Sequence, residues 1–179
     1  MLKIAAIAVR AFLLIFGAVV LGLSVTLAKH QTIGSPPSET SFGSFIGAFG
    51  ILVSLLGIGA MFVDKIPAFI VTAADGIATA LYLAGAIALT VALKPVPSCT
   101  SNDNMARYQR LVNKLLNSGC QDVTSSCAGI PTESVLNARC QRVQADYVFE
   151  YLAFIFGVAV VGLSFVINRG GGGRSAAYV

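Results

Sequence analysis

Four uninterrupted apolar runs order the chain: about Ile4 to Ala28, Phe42 to Val63, Ile66 to Leu93 and Tyr147 to Ile167. Each is long enough to cross a hydrocarbon layer as an α-helix, which needs about 20 residues. The apolar residues are continuous and do not alternate with polar ones, which speaks for spanning helices and against a transmembrane barrel. A signal peptide is the competing reading of the first run, with Lys3 as its charged start and Ala28 as a cleavage site. The apolar stretch is long for that role, and we read it as a retained span. Asp64, Lys65 and Pro67 predict a tight turn after the second span, and Lys94-Pro95-Val96-Pro97 ends the third.

The fourth run belongs to a longer element. After Pro131 there is no proline up to Ile167, and the only glycines, Gly157 and Gly162, lie deep in the apolar part. A helix starting near Thr132 and running to Asn168 would be about 36 residues, or about 54 Å, long. Its first third is polar and carries Cys140. One helix is thus predicted to join a watery segment to a membrane span. Within the loop 95–146, Met105, Tyr108, Leu111, Val112, Leu115 and Leu116 recur at helical spacing. Ser101, Asn102 and Asp103 are candidate N-caps, and Asn117-Ser118-Gly119 is a stop. The polar face of this short helix carries Arg107, Arg110 and Lys114. It either lies on anionic head groups or packs on Val135, Leu136 and Val143; the packed reading is preferred. The tail, 168–179, holds Gly170 to Gly173 and reads as a flexible linker.

Hydrophobic residues make up 56% of the chain and charged residues 11%, against about 25% charged in a soluble domain. Mean hydropathy is +0.81. The expected fold class is all-α: an integral-membrane four-helix bundle forming one domain over 1–167, with a disulfide-bearing loop between helices 3 and 4. A net charge of +4 does not indicate nucleic acid, because the charges flank apolar runs and form no block. An even number of spans puts both termini on one side. With cytoplasmic termini, Lys3, Arg10, Lys65, Arg169 and Arg174 face in, while Lys29, Lys94, Arg107, Arg110, Lys114, Arg139 and Arg142 face out. The positive-inside rule opposes that orientation. The cysteines favour it: Cys99, Cys120, Cys127 and Cys140 all lie in one loop, as disulfides in an oxidising compartment would. A cytoplasmic zinc site is the rival, but there is no C-x-x-C pair and the sole histidine, His30, is elsewhere.

No nucleophile–base set, phosphate loop, dinucleotide motif or His/Glu metal motif is present, so no catalytic residue, cofactor or metal site is expected. Small residues recur at helix-packing spacing: Gly43 with Gly47, Ala80 with Ala84 and Ala88, Ala153 with Gly157. Gly162 belongs to the same candidate packing set. Ile15-Phe16-Gly17 and Gly22-Leu23-Ser24 match Ile155-Phe156-Gly157 and Gly162-Leu163-Ser164 in type and spacing. An inverted repeat is one reading; shared packing needs are the preferred one. Charges within the spans are confined to Arg10, Asp75 and Glu150. Arg10 and Asp75 count to similar depths from the same side and are the candidate buried pair, provided helices 1 and 3 are neighbours; in the competing reading Arg10 snorkels to the head groups and Asp75 bonds to Thr72, Thr79 or a hydroxyl on another helix. Glu150 follows Asp146 and Arg142 at one-turn intervals near the outer surface, where an Arg142–Asp146 pair and structural anchoring are expected.

Four spans, a short first loop, a tight second turn and a cysteine-bearing third loop resemble the MARVEL domain. Thr72-Ala73-Ala74-Asp75-Gly76 followed by Tyr82-Leu83-Ala84-Gly85-Ala86-Ile87-Ala88-Leu89 is similar to that family's acidic residue ahead of an alanine-rich helix. Arg139-Cys140-Gln141 through Gln144-Ala145-Asp146 to Phe149 resembles fungal members, the non-classical export proteins of the eisosome. Tetraspanins also carry a large loop here, but their Cys-Cys-Gly is missing; claudins put the large loop first. The resemblance implies a non-enzymatic organiser at the plasma membrane or on secretory vesicles. Its expected partners are membrane lipids, with sphingolipid or sterol in view, and further copies of itself as a homo-oligomer. The alternatives are a small ion or solute transporter using Asp75 and Glu150, and an accessory subunit of a larger complex. Of the three possible disulfide connectivities, Cys99–Cys140 with Cys120–Cys127 is preferred. Cys99 and Cys140 lie at similar distances from the ends of consecutive spans, and Cys120 and Cys127 flank a short loop.

Overall fold

The computed structural model describes residues 2–62, 66–119 and 131–170. It contains α1 (Leu2–Lys29), α2 (Ser38–Gly59), α3 (Ala68–Leu93), α4 (Asn104–Val112) and α5 (Glu133–Gly170), and no strand among the described residues. The four long helices are each long and apolar enough to cross a membrane. The expected turn at Asp64 and Lys65, the Cys120–Cys127 bridge and the glycine tail lie outside the described residues.

The helix ends follow local chemistry. Pro37 and Pro67 immediately precede α2 and α3, where a fixed φ and a missing N–H cost nothing. α2 therefore starts at Ser38, ahead of the apolar run at Phe42, and sets Glu39 in its first turn, where a negative charge suits the helix dipole. α5 is continuous for 38 residues, about 57 Å. Its first turns rise out of the bundle and carry Cys140 to Cys99, with which it forms a disulfide at a Cα–Cα distance of 5.4 Å.

Around the bundle, α1 packs on α2 and α5, and α3 packs on α5 and α2. α1 and α3 are therefore diagonal to one another, not neighbours. One core cluster fills the middle of the bundle with Leu13, Val20, Ile46, Tyr82, Ala153 and Val160. Phe16 of α1 meets Phe156 of α5 edge-on at 5.3 Å, while the matching Ile15 and Ile155 are exposed, so of the residues repeated in those two helices the phenylalanines meet at their contact. A second cluster closes the loop end, where Leu115, Leu116, Leu136 and Val143 cover Leu27, Leu89 and Leu93.

The short loop helix differs from expectation. It stops at Val112, because Asn113 leaves the helical path to donate to the Ala92 carbonyl and to accept from the Leu115 N–H. Met105, Tyr108 and Val112 face outward. The packing on Leu136 and Val143 is made instead by Leu115 and Leu116, while Val135 is exposed. Arg110, expected on the polar face, is fully buried; it donates to the carbonyls of Ser98 and Ser101, both at 2.9 Å, and pairs with Glu133. Arg139 is likewise buried and donates to the Leu115 and His30 carbonyls. The N–H groups of Thr32 and Ile33 bond to the Ser118 carbonyl, and Lys114 pairs with Glu39. The loop is thus a packed cap tied to the α1–α2 connection, α3 and α5 at one end of the bundle.

Candidate functional site

The bundle carries its polar side chains inside, in layers. At the end nearest the termini, Arg10 reaches across the diagonal from α1 to α3. Its guanidinium donates to both carboxylate oxygens of Asp75, at 3.1 and 2.7 Å, with the two residues 1% and 4% exposed. The guanidinium can cross because Gly57 of α2 has no side chain; a Cβ there would collide with it. Neighbouring helices were not required, because a long side chain passes over a glycine to a helix it does not pack against. Asp75 also accepts from Thr79 through its backbone carbonyl.

One layer further in, the Tyr82 hydroxyl points into the space above Gly50 and Gly17 and has no hydrogen-bond partner among the described residues. A cavity of about 10 Å³ beside it is lined by Ser54, Asp75, Thr79 and Tyr82. That is room for about one water.

Toward the loop end lie Glu150 and Asp146, both fully buried. Ser24 of α1 donates to Asp146 Oδ2 at 2.6 Å. Asp146 Oδ1 and both Glu150 oxygens have no hydrogen-bond partner among the described residues. No Arg142–Asp146 ion pair forms among the described residues. Glu150 is not near the surface as its place in the run suggests. The cap formed by Leu115, Leu116 and Val143 extends the buried zone past the start of the apolar run.

The small residues divide into two groups. Gly43 lies against Ser24, and Gly157 lies against Thr79. Gly47 lies against the α1 backbone, where a Cβ would stand 2.6 Å from the Leu21 nitrogen and 2.8 Å from its Cα. At Gly162, in contrast, a Cβ would meet nothing within 4 Å among the described residues. It lines an apolar groove of about 570 Å³ between α3 and α5, with Gly76, Ala80, Phe154 and Phe165. It is therefore not an internal packing residue. Gly57 was not picked out from the sequence, and Ser24, Tyr82 and Gly85 stood out only as parts of longer motifs; the role of each shows only once the rotation of its helix is known.

Among the described residues, no group of three or more His, Cys, Asp or Glu side chains could hold a metal ion. No curated protein and no solved structure matches the chain. Residues 3–163, running from the first span into the last, match the membrane-associating domain known as MARVEL, and the chain belongs to that family.

Proposed function

We propose that the protein is a non-enzymatic membrane organiser, which associates laterally and shapes or senses lipid domains at the plasma membrane or on secretory vesicles. One observation carries this reading: the charged side chains of the spans, Arg10, Asp75 and Glu150, are buried and the cavity beside Asp75 and Tyr82 is only about 10 Å³, while large apolar side chains populate the outer faces. Phe45, Phe69, Ile77, Ile155 and Phe165 are all exposed. Transport through the bundle needs a continuous wet path, and a space for about one water supports the closed organiser instead. The unfilled groove at Gly162 supports self-association, since small residues allow helix backbones to approach closely in lipid. The Cys99–Cys140 disulfide supports cytoplasmic termini and an extracellular or lumenal loop 95–146, because such bonds persist in oxidising compartments. The fungal eisosome assignment and the preference for sphingolipid or sterol belong to the same proposal and rest on the sequence resemblance.

Reconstitution of the labelled protein into giant vesicles with coexisting lipid phases tests it. Enrichment in one phase, rising with protein density, is expected. Uniform distribution at every density, or solute flux abolished by Asp75→Asn, would overturn it.

A further inference from the structure

We propose that Asp146, Glu150 and Ser24 form an internal site for a small monovalent cation, a proton or a sodium ion. Asp146 and Glu150 stand one turn apart on the same face of α5, and both are 0% exposed. Ser24, from α1, already spends its hydroxyl hydrogen on Asp146 Oδ2. That leaves Asp146 Oδ1 and both Glu150 oxygens as acceptors with no donor among the described residues.

A second observation concerns space. Gly85 of α3 lacks a side chain just where the Glu150 carboxyl sits: a Cβ there would lie 2.8 and 2.9 Å from its oxygens. A Cβ on Gly43 of α2 would lie 3.5 Å from Glu150 Oε1 and would strike the Ser24 hydroxyl. The carboxyl and the hydroxyl thus take the places that side chains on two glycines of different helices would fill. A buried carboxylate with no partner costs several kcal/mol, and a second negative charge one turn away adds to that cost.

The usual solution, a protein cation, is not seen among the described residues that pack around them. α1 presents Ser24, α2 presents Gly43 and Ile46, and α3 presents Gly85 and Tyr82. Tyr82 turns its hydroxyl away toward Gly50. Arg10 is committed to Asp75, about 15 Å away along α3 by the ten residues from Asp75 to Gly85. Arg139 donates to backbone carbonyls, and Arg142 makes no ion pair with Asp146 among the described residues. A single positive charge placed among the free oxygens cancels one of the two negative charges and gives the unpartnered oxygens a partner. The loop end is the nearer end of the bundle, since Asp146 is the outer of the two acids and Ser24 is about 7.5 Å from the end of α1. The site needs no path through the bundle and is independent of the organising role.

The test uses the full-length protein, disulfide intact, in lipid nanodiscs. It is treated with dicyclohexylcarbodiimide, a membrane-soluble reagent that attacks uncharged carboxyl groups, and mapped by peptide mass spectrometry. Glu150 is expected to carry the adduct, and Asp75, held by Arg10, to be spared. Labelling that falls at least tenfold as pH rises in sodium-free buffer identifies the proton as ligand. Labelling that falls to the same extent with sodium, but not choline, at fixed pH identifies sodium. Asp146→Asn, checked for a monodisperse elution profile, should raise the cation concentration for half-effect about tenfold. Should that variant misfold, the wild-type titrations still decide. No adduct on Glu150 between about pH 5 and about pH 9, or an adduct insensitive to both cations, would overturn the proposal.

Discussion

Replacing Asp75 with alanine strands the Arg10 guanidinium at a site where it is 1% exposed and bonded to both oxygens of its partner. Breaking a buried pair from one side costs about 3–5 kcal/mol, whereas replacing both partners with apolar groups is close to neutral. Asp75→Ala and Arg10→Leu should therefore each destabilise by about 3–5 kcal/mol. The double variant should fall within about 1–2 kcal/mol of the parent, giving a coupling of about 4–9 kcal/mol. Gly57 supplies an internal check. Its alanine variant pushes a methyl group into the guanidinium's path, so Gly57→Ala should be costly alone and nearly harmless in an Arg10→Leu background. Unfolding in mixed micelles with increasing denaturing detergent, followed by circular dichroism, gives all the free energies in one series. Additive losses in both cycles would show that Arg10 and Asp75 do not depend on each other.

Other outcomes follow from the same contacts. Gly47→Ala should cost about 1–3 kcal/mol by overpacking, because it faces the Leu21 backbone, which has no rotamer to yield; the detergent titration reads it. Gly162→Ala should leave the isolated chain as stable or more stable, since helix propensity gains up to about 1 kcal/mol, yet weaken association if protomers meet in that groove; cross-linking yield separates the two effects. Cys99→Ser should cost about 4 kcal/mol by the chain-entropy relation for a sequence separation of 41, and non-reducing peptide maps should link Cys99 to Cys140. Arg110→Lys should loosen the loop nearly as much as Arg110→Ala, because a lysine cannot span the Ser98 and Ser101 carbonyls at once; limited proteolysis of the loop compares them.

What could be read from the chain is what depends on counting along it. The spans stand out because a bilayer demands about 20 apolar residues in a row. The unbroken α5 follows from a proline-free stretch. Counting also set Cys99 and Cys140 at one height, and Arg10 and Asp75 at one depth, and each couple meets at that level. Lateral order is different information. Nothing in the apolar pattern said that α1 and α3 would be diagonal, or that Gly57 would open the way between them. Mean helix rotation was equally hidden, so the Ser24–Asp146 bond and the Glu150 cradle between Gly43 and Gly85 could not be anticipated. The loop misled for a third reason. Its charged residues find backbone carbonyls of neighbouring turns, so Arg110 and Arg139 are buried where an amphipathic pattern puts charge outside.

Lateral association is the central claim, and counting subunits in native membranes tests it most directly. The protein, tagged with a single fluorophore and expressed at low density, is released in polymer-bounded native nanodiscs and scored by stepwise photobleaching. Discs dominated by two or more bleaching steps, shifting toward one step in Gly162→Leu, are the predicted result. A single step in nearly every disc, unchanged as expression rises, would contradict it.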